Sequence, residues 1–157
     1  MNVCIIGNGL TSLALAKNLV NKKINVHICH KDKNNTFPSN RTLGISKNNF
    51  EYFCKKIFPI HKKKIWEIKK IEIFSEKLKK DKILNFEKNK KVLFLMLKND
   101  ELHKILTNQL MKEKLFKKIK IKNNIFYKKI LIEKKYDLII NCEPNNEITK
   151  KKFSKTI

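Results

Sequence analysis

The feature that most constrains this chain lies at its start, where the apolar run Val3-Cys4-Ile5-Ile6 enters Gly7-Asn8-Gly9-Leu10-Thr11-Ser12 and continues as Leu13-Ala14-Leu15-Ala16-Lys17-Asn18-Leu19. The order is strand, glycine turn, helix. Gly7 allows the tight turn out of the strand, and Gly9 removes the Cβ that would keep a phosphate from the backbone, so a pyrophosphate can sit on the helix N-terminus. Ser12 stands where a third glycine is usual and is small enough to keep helix and strand close. A second strand over Ile24–Cys29 completes a βαβ unit.

The 157 residues suffice for one domain with a real core. The net charge of +23 invites a nucleic-acid reading, yet it comes from 36 Lys and a single Arg, and Lys, Asn and Ile fill 77 positions. Phosphate and base-edge recognition uses the guanidinium fork, so one Arg argues against a specific nucleic-acid partner. The skew matches drift in a genome of low GC content, and it makes Arg41 conspicuous. The cysteines Cys4, Cys29, Cys54 and Cys142 have no CxxC spacing and lie mostly in apolar runs, as buried thiols of a reducing compartment do. The longest apolar run, Val92–Leu97, is far shorter than the ~20 residues of a membrane span. With no signal peptide read, a cytoplasmic protein is expected, touching an anionic inner membrane at most peripherally through its lysines.

Residues 31–40 read as a polar loop with Pro38. Ser46 is placed to cap a helix over Lys47–Ile57, with Phe50, Phe53, Cys54 and Ile57 on its apolar face. Alternation over Ile65–Phe74 predicts a strand bulged at Lys69-Lys70, followed by strands at Ile83–Phe86 and Val92–Leu97 in a small antiparallel layer. Asn99 or Asp100 is expected to cap a long helix to about Phe116. Strands are expected at Lys118–Ile121, Ile130–Glu133 and Asp137–Cys142, the last apolar enough for burial on both faces of a parallel sheet. The fold class is thus α/β: an N-terminal Rossmann-like βαβ, a mixed parallel sheet and a small antiparallel β layer. In domain terms, residues 1–143 form the nucleotide-binding domain with the layer inserted at about 65–97, and 144–157 form a polar tail, frayed helix or disordered.

Four segments, in this order, resemble the N-terminal part of the FAD-dependent aromatic hydroxylases, the para-hydroxybenzoate hydroxylase superfamily, and most closely its branch acting on polyprenyl phenols in ubiquinone biosynthesis. They are the opening βαβ, Asn40-Arg41-Thr42-Leu43-Gly44-Ile45-Ser46, the stretch Leu97-Lys98-Asn99 through Leu102 and Leu106 to Leu110, and Asp137-Leu138-Ile139-Ile140-Asn141-Cys142-Glu143-Pro144. The resemblance implies FAD as cofactor, NAD(P)H as co-substrate of the complete enzyme, and a flavin-dependent monooxygenase whose chemistry belongs to the cofactor, with no side chain required as acid or base. It implies that Gly7, Asn8, Gly9, Leu10, Thr11 and Ser12 hold the pyrophosphate, that Arg41 lies against the cofactor's phosphates or the flavin side, and that Asn99 contacts the cofactor. Asn99 is equally well explained as a helix cap.

The departures bear on the same contacts. His30 stands where an acidic residue accepts ribose hydrogen bonds, and neutral histidine accepts only one; Asp32 is a possible substitute. Glu143-Pro144 replaces an Asp-Gly pair, keeping a carboxylate and losing backbone freedom. The family's second flavin-binding motif and most of its substrate sheet have no counterpart in these residues, so the sequence reads as the front part of a hydroxylase, a truncated or split gene product or a decayed remnant. Two alternatives stay open. One is an NAD(P)-binding reductase domain, for which His30 with Lys31 and Lys33 would suit a 2′-phosphate; the other is a non-catalytic basic binding protein. His27, His30, His61 and His103 show no metal-ligand spacing and are read as structural.

Overall fold

A computed structural model describes residues 1–31, 41–76, 81–87, 89, 91–121, 125–132, 135–144 and 146–152. Residues 32–40 of the expected loop over 31–40, with Asp32 and Lys33, lie outside these, as do residue 145 and the last five residues of the expected tail. The chain divides into two compact units, Met1–Phe37 with Asp100–Ile157, and Pro38–Asn99.

The first unit is built on four parallel strands, β1 (Asn2–Ile6), β2 (Asn25–His30), β8 (Phe116–Lys120) and β9 (Leu138–Asn141), in the order β8-β2-β1-β9. Parallel neighbours need crossovers, and helix α1 (Leu10–Asn21) supplies the one between β1 and β2. Val3 to Ile6, Val26, Ile28 and Cys29 are fully buried, as continuous apolar runs in the middle of a parallel sheet must be. The face carrying Cys4, Ile6 and Cys29 packs with Tyr127 and Ile130 of helix α4 (Ile125–Ile132) and with Ile121. Leu13, Ala16 and Val20 of α1 are buried too, and α1 packs on β1 and β2. Helix α3 (Asn99–Leu110) buries Leu102, Leu106 and Leu110, an i, i+4, i+8 stripe. Its carboxyl end stops at Leu110, short of the expected Phe116, and a turn leads into β8.

Two expectations for this unit fail. The run Ile130–Glu133 was expected as a strand, but residues through Ile132 form α4, because Tyr127 and Ile130 at helical spacing fill the hollow over Cys4 and Ile6 and packing overrides β-propensity. The last strand joins the sheet beside β1, Val3 to Ile6 pairing with Leu138 to Asn141, yet it is not buried on both faces. It is the edge strand in the described order, so Leu138 remains 44% exposed. Beyond it, helix α5 (Glu147–Lys152) occupies part of the expected tail, capped by Asn146, whose Oδ1 accepts from the Thr149 N–H at 2.9 Å.

The second unit contains the antiparallel strands. β3 (Thr42–Ser46), β7 (Phe94–Lys98) and β4 (Trp66–Ile68) form one sheet in the order β3-β7-β4, with helix α2 (Lys47–Lys56) packed on β3 and β7. Ser46 caps α2, accepting from the Asn49 N–H at 3.3 Å. Trp66 to Phe74 is not one bulged strand: Lys69 separates β4 from β5 (Lys70–Phe74), which among the described residues pairs with β6 (Lys82–Glu87) in a hairpin. The break fits the Lys69-Lys70 pair, which interrupts the apolar alternation and lets consecutive halves join different sheets.

Candidate functional site

Backbone geometry at the end of β1 builds a tight cradle around the glycine turn. Gly7 takes φ +115°, a conformation that a side chain strains, and its N–H donates to the Cys29 carbonyl at 2.9 Å. A Cβ on Gly7 would stand 3.2 Å from Ser12 Oγ and 3.4 Å from both the Cys142 carbonyl carbon and Glu143 Cβ. The turn is therefore closed on its inner side by Ser12 and by the chain leaving β9. Gly9 is the N-cap of α1, at φ −80° and ψ 175°, with no side-chain cap and no acidic residue in the first turn. A Cβ there would meet nothing within 4 Å. The first-turn amides of α1 have no intrahelical acceptors, and the positive end of the helix dipole lies behind them.

Orphaned polar atoms mark the same place. Ser12 is fully buried and its Oγ has no hydrogen-bond partner among the described residues; neither has the buried Asn8 Oδ1. A buried hydroxyl left unpaired costs on the order of 1–3 kcal/mol. A bound pyrophosphate, rich in acceptor oxygens, fits the open N-terminus, and no protein carboxylate competes in the first turn.

The structure brings Gly7, Asn8, Gly9, Leu10, Thr11, Ser12, His30 and Glu143 to the carboxyl end of β1, β2 and β9. His30 ends β2, half-buried, and its carbonyl accepts from the Ile121 N–H at 2.7 Å. Lys31 follows with its ammonium 5.4 Å from the Tyr127 ring centroid, a cation–π contact. Glu143 is held by its N–H donating to Asn141 Oδ1 at 3.2 Å and by its carbonyl accepting from Thr149 Oγ1 at 3.1 Å. That network, joined by Asn146, fixes the turn at Pro144 where the expected pattern has glycine.

Arg41 and Asn99 belong to the second unit and lie together there, the Asn99 N–H donating to the Arg41 carbonyl at 3.0 Å. Arg41 is exposed. Asn99 does not cap α3: it is the first helical residue, and its buried Oδ1 has no partner among the described residues. A cleft of about 470 Å³ in this unit is lined by Lys47, Phe50, Ile65, Val92 and Leu95 among others, and by none of the residues expected at the site.

One contact was invisible in the sequence. His103 Nε2 lies 2.8 Å from the Asn8 carbonyl, which can only accept, so the imidazole donates to the glycine loop from 95 residues away. Beneath the cradle, Cys4 Sγ and Cys29 Sγ are 3.5 Å apart and both thiols are free and buried. Donation to Cys29, with burial, raises the Cys4 pKa, while acceptance of that bond lowers Cys29. Cys54 and Cys142 are half-buried.

No protein-family profile matches the sequence, and no curated protein matches it. Solved structures do. PqsL of Pseudomonas aeruginosa, solved with 2-aminobenzoylacetate, superposes with a TM-score of 0.63 at 11% identity over 76% of this chain and 33% of that chain. The p-nitrophenol 4-monooxygenase PnpA of Pseudomonas putida DLL-E4 gives 0.59 at 13% identity over 75% and 31%. The 2,6-dihydroxypyridine-3-hydroxylase of Arthrobacter nicotinovorans gives 0.54 at 10% over 74% and 28%. The chain thus spans about a third of the length of the structures it resembles. At these identities the likeness establishes the fold, a mixed α/β architecture with a parallel sheet and antiparallel strands shared with these oxygenases.

Proposed function

We propose that this chain is the FAD-binding part of a flavin-dependent monooxygenase, with the pyrophosphate seated on Gly7 to Ser12. The observation that carries the reading is the cradle itself: open space over Gly9 at an uncapped helix N-terminus, beside the buried Ser12 hydroxyl, which has no partner among the described residues. The neighbours add weight, since PqsL carries the description "a probable FAD-dependent monooxygenase" and PnpA that of a p-nitrophenol 4-monooxygenase. The substrate class, a polyprenylated phenol of ubiquinone biosynthesis, rests on the four-segment resemblance alone.

In this reading the first-turn amides of α1 bind the phosphates, His30 accepts a single ribose hydroxyl, and Glu143 accepts donors on the flavin side. Arg41 and Asn99 are proposed as further cofactor contacts: a guanidinium can chelate two phosphate oxygens, and the Asn99 amide oxygen lacks a partner. Bound flavin supplies the redox chemistry of oxygen insertion, with NAD(P)H as reductant of the whole enzyme; the protein orients the cofactor and excludes water. Because the chain spans about a third of its structural neighbours, the remaining walls of a substrate site are assigned to further polypeptide, in this chain's continuation or a second chain.

Titrating FAD and NADPH into the purified protein, followed by flavin and nicotinamide fluorescence, tests this. FAD should bind more tightly, though about ten- to a hundredfold more weakly than with a carboxylate at position 30, the worth of one charge-assisted hydrogen bond. Tighter binding of NADPH would replace the proposal with a nicotinamide-binding reductase domain.

A further inference from the structure

We infer that His103 is a positioning residue for the anion site: by holding the Asn8 carbonyl it aims the Gly9 amide into the cradle. The argument starts from the peptide plane. The Asn8–Gly9 bond is trans, as are all the described peptide bonds, so its C=O and N–H point in opposite directions. Fixing one fixes the other. His103 Nε2 donates to the Asn8 oxygen at 2.8 Å, so the Gly9 N–H is directed away from α3, at the residue where an added Cβ finds only open space.

The lock is needed because of the glycines that make the site. Rotating this peptide requires a change in ψ of residue 8 and φ of residue 9, and glycine accepts either sign of φ at little cost. A flipped peptide would turn a carbonyl oxygen toward the phosphates. The Asn8 side-chain Oδ1 does not help hold the peptide, having no partner among the described residues. His103, by contrast, rides on a helix anchored on either side by Leu102 and Leu106, which are 5% and 0% exposed. The buried stripe of α3 thereby sets the direction of the Gly9 amide through the Asn8 carbonyl, 95 residues from His103.

The inference rests on the proposed reading of the cradle as a phosphate site, and the experiment separates the two. The chain has three glycines, so selective ¹⁵N-glycine labelling yields three amide resonances, Gly7, Gly9 and Gly44, the last in the second unit and serving as a control for folding. The variants are His103→Leu, which cannot donate, and His103→Gln, whose side-chain amide can. In the ligand-free protein, His103→Leu should broaden or shift Gly9 and speed its hydrogen exchange while Gly44 stays in place, and His103→Gln should restore the wild-type signal. Added pyrophosphate and FAD should each move the wild-type Gly9 resonance, with affinity falling about tenfold in His103→Leu and recovering in His103→Gln.

A Gly9 signal indifferent to His103→Leu, or unrescued by Gln while Gly44 is unchanged, overturns the lock. Response of Gly9 to pyrophosphate but not FAD supports the lock and refutes the flavin reading. Silence of wild-type Gly9 toward both ligands overturns the inference that the amide is aimed at an anion.

Discussion

Gly7→Ala and Gly9→Ala should separate folding from binding, because the two glycines are needed for different reasons. At Gly7 the backbone sits at φ +115° and a new Cβ would lie 3.2 Å from Ser12 Oγ and 3.4 Å from the chain after β9. A side chain held in such a conformation costs on the order of 1–3 kcal/mol. For a domain of this size that lowers the melting midpoint by roughly 4–8 °C for a loss of about 2 kcal/mol. At Gly9, φ −80° suits any residue and the new Cβ touches nothing. Exchanging one uncapped N-cap for another should move stability by about 0.5 kcal/mol or less. That Cβ would occupy the approach of the phosphates and lift them off the helix amides. Losing one charge-assisted hydrogen bond weakens FAD binding about ten- to a hundredfold. The assay is thermal unfolding by circular dichroism alongside FAD titration by fluorescence. A Gly9→Ala protein that folds normally and binds FAD like the wild type would refute the reasoning, and so would a Gly7→Ala protein of unchanged stability.

Other expectations follow from particular contacts. His27 has its pKa lowered by burial and by Lys135 and Lys117, with its Nδ1 2.9 Å from the Tyr136 hydroxyl. Its neutral form is therefore favoured by folding, the associated stability is complete above about pH 6.5 and lost as pH falls, and His27→Gln should flatten the pH dependence of the melting midpoint in acid. Lys17 is 7% exposed and paired with Glu113 at 2.5 Å, so Glu113→Gln should cost on the order of 1–2 kcal/mol in urea unfolding, the partner being 37% exposed and softening the loss; an unchanged midpoint would contradict this. On the β5–β6 hairpin, Ile73 pairs with Leu84 and Ile71 with Phe86, and Ile73, Leu84 and Phe86 are 43%, 48% and 49% exposed. Such a face promotes association, so Leu84→Lys with Phe86→Lys should lower the sedimentation-average mass of the purified chain at equal melting midpoint, and no change in mass would discount the patch.

The parallel sheet was legible because its strands are continuous apolar runs, and the cradle because glycine spacing carries its own geometry. Ser46 as a cap was legible for the same local reason. What depended on distant partners was not. The run at Ile130 reads as a strand until α4 is seen to fill the hollow over Cys4 and Ile6. Leu138 to Asn141 reads as doubly buried, since composition does not reveal that β9 stands at the edge. Asn99 reads as a cap, yet its amide oxygen is unpaired. His103 carries no local signal at all, its partner being a carbonyl on another element.

The claim at the centre of this account, that the loop from Gly7 to Ser12 seats the pyrophosphate of FAD, is tested most directly by a crystal structure of the chain grown with saturating FAD. The account predicts phosphate density within hydrogen-bond distance of the α1 first-turn amides, with the adenosine ribose beside His30. Dinucleotide density elsewhere on the protein, or an empty cradle at FAD concentrations that saturate binding in solution, would contradict it.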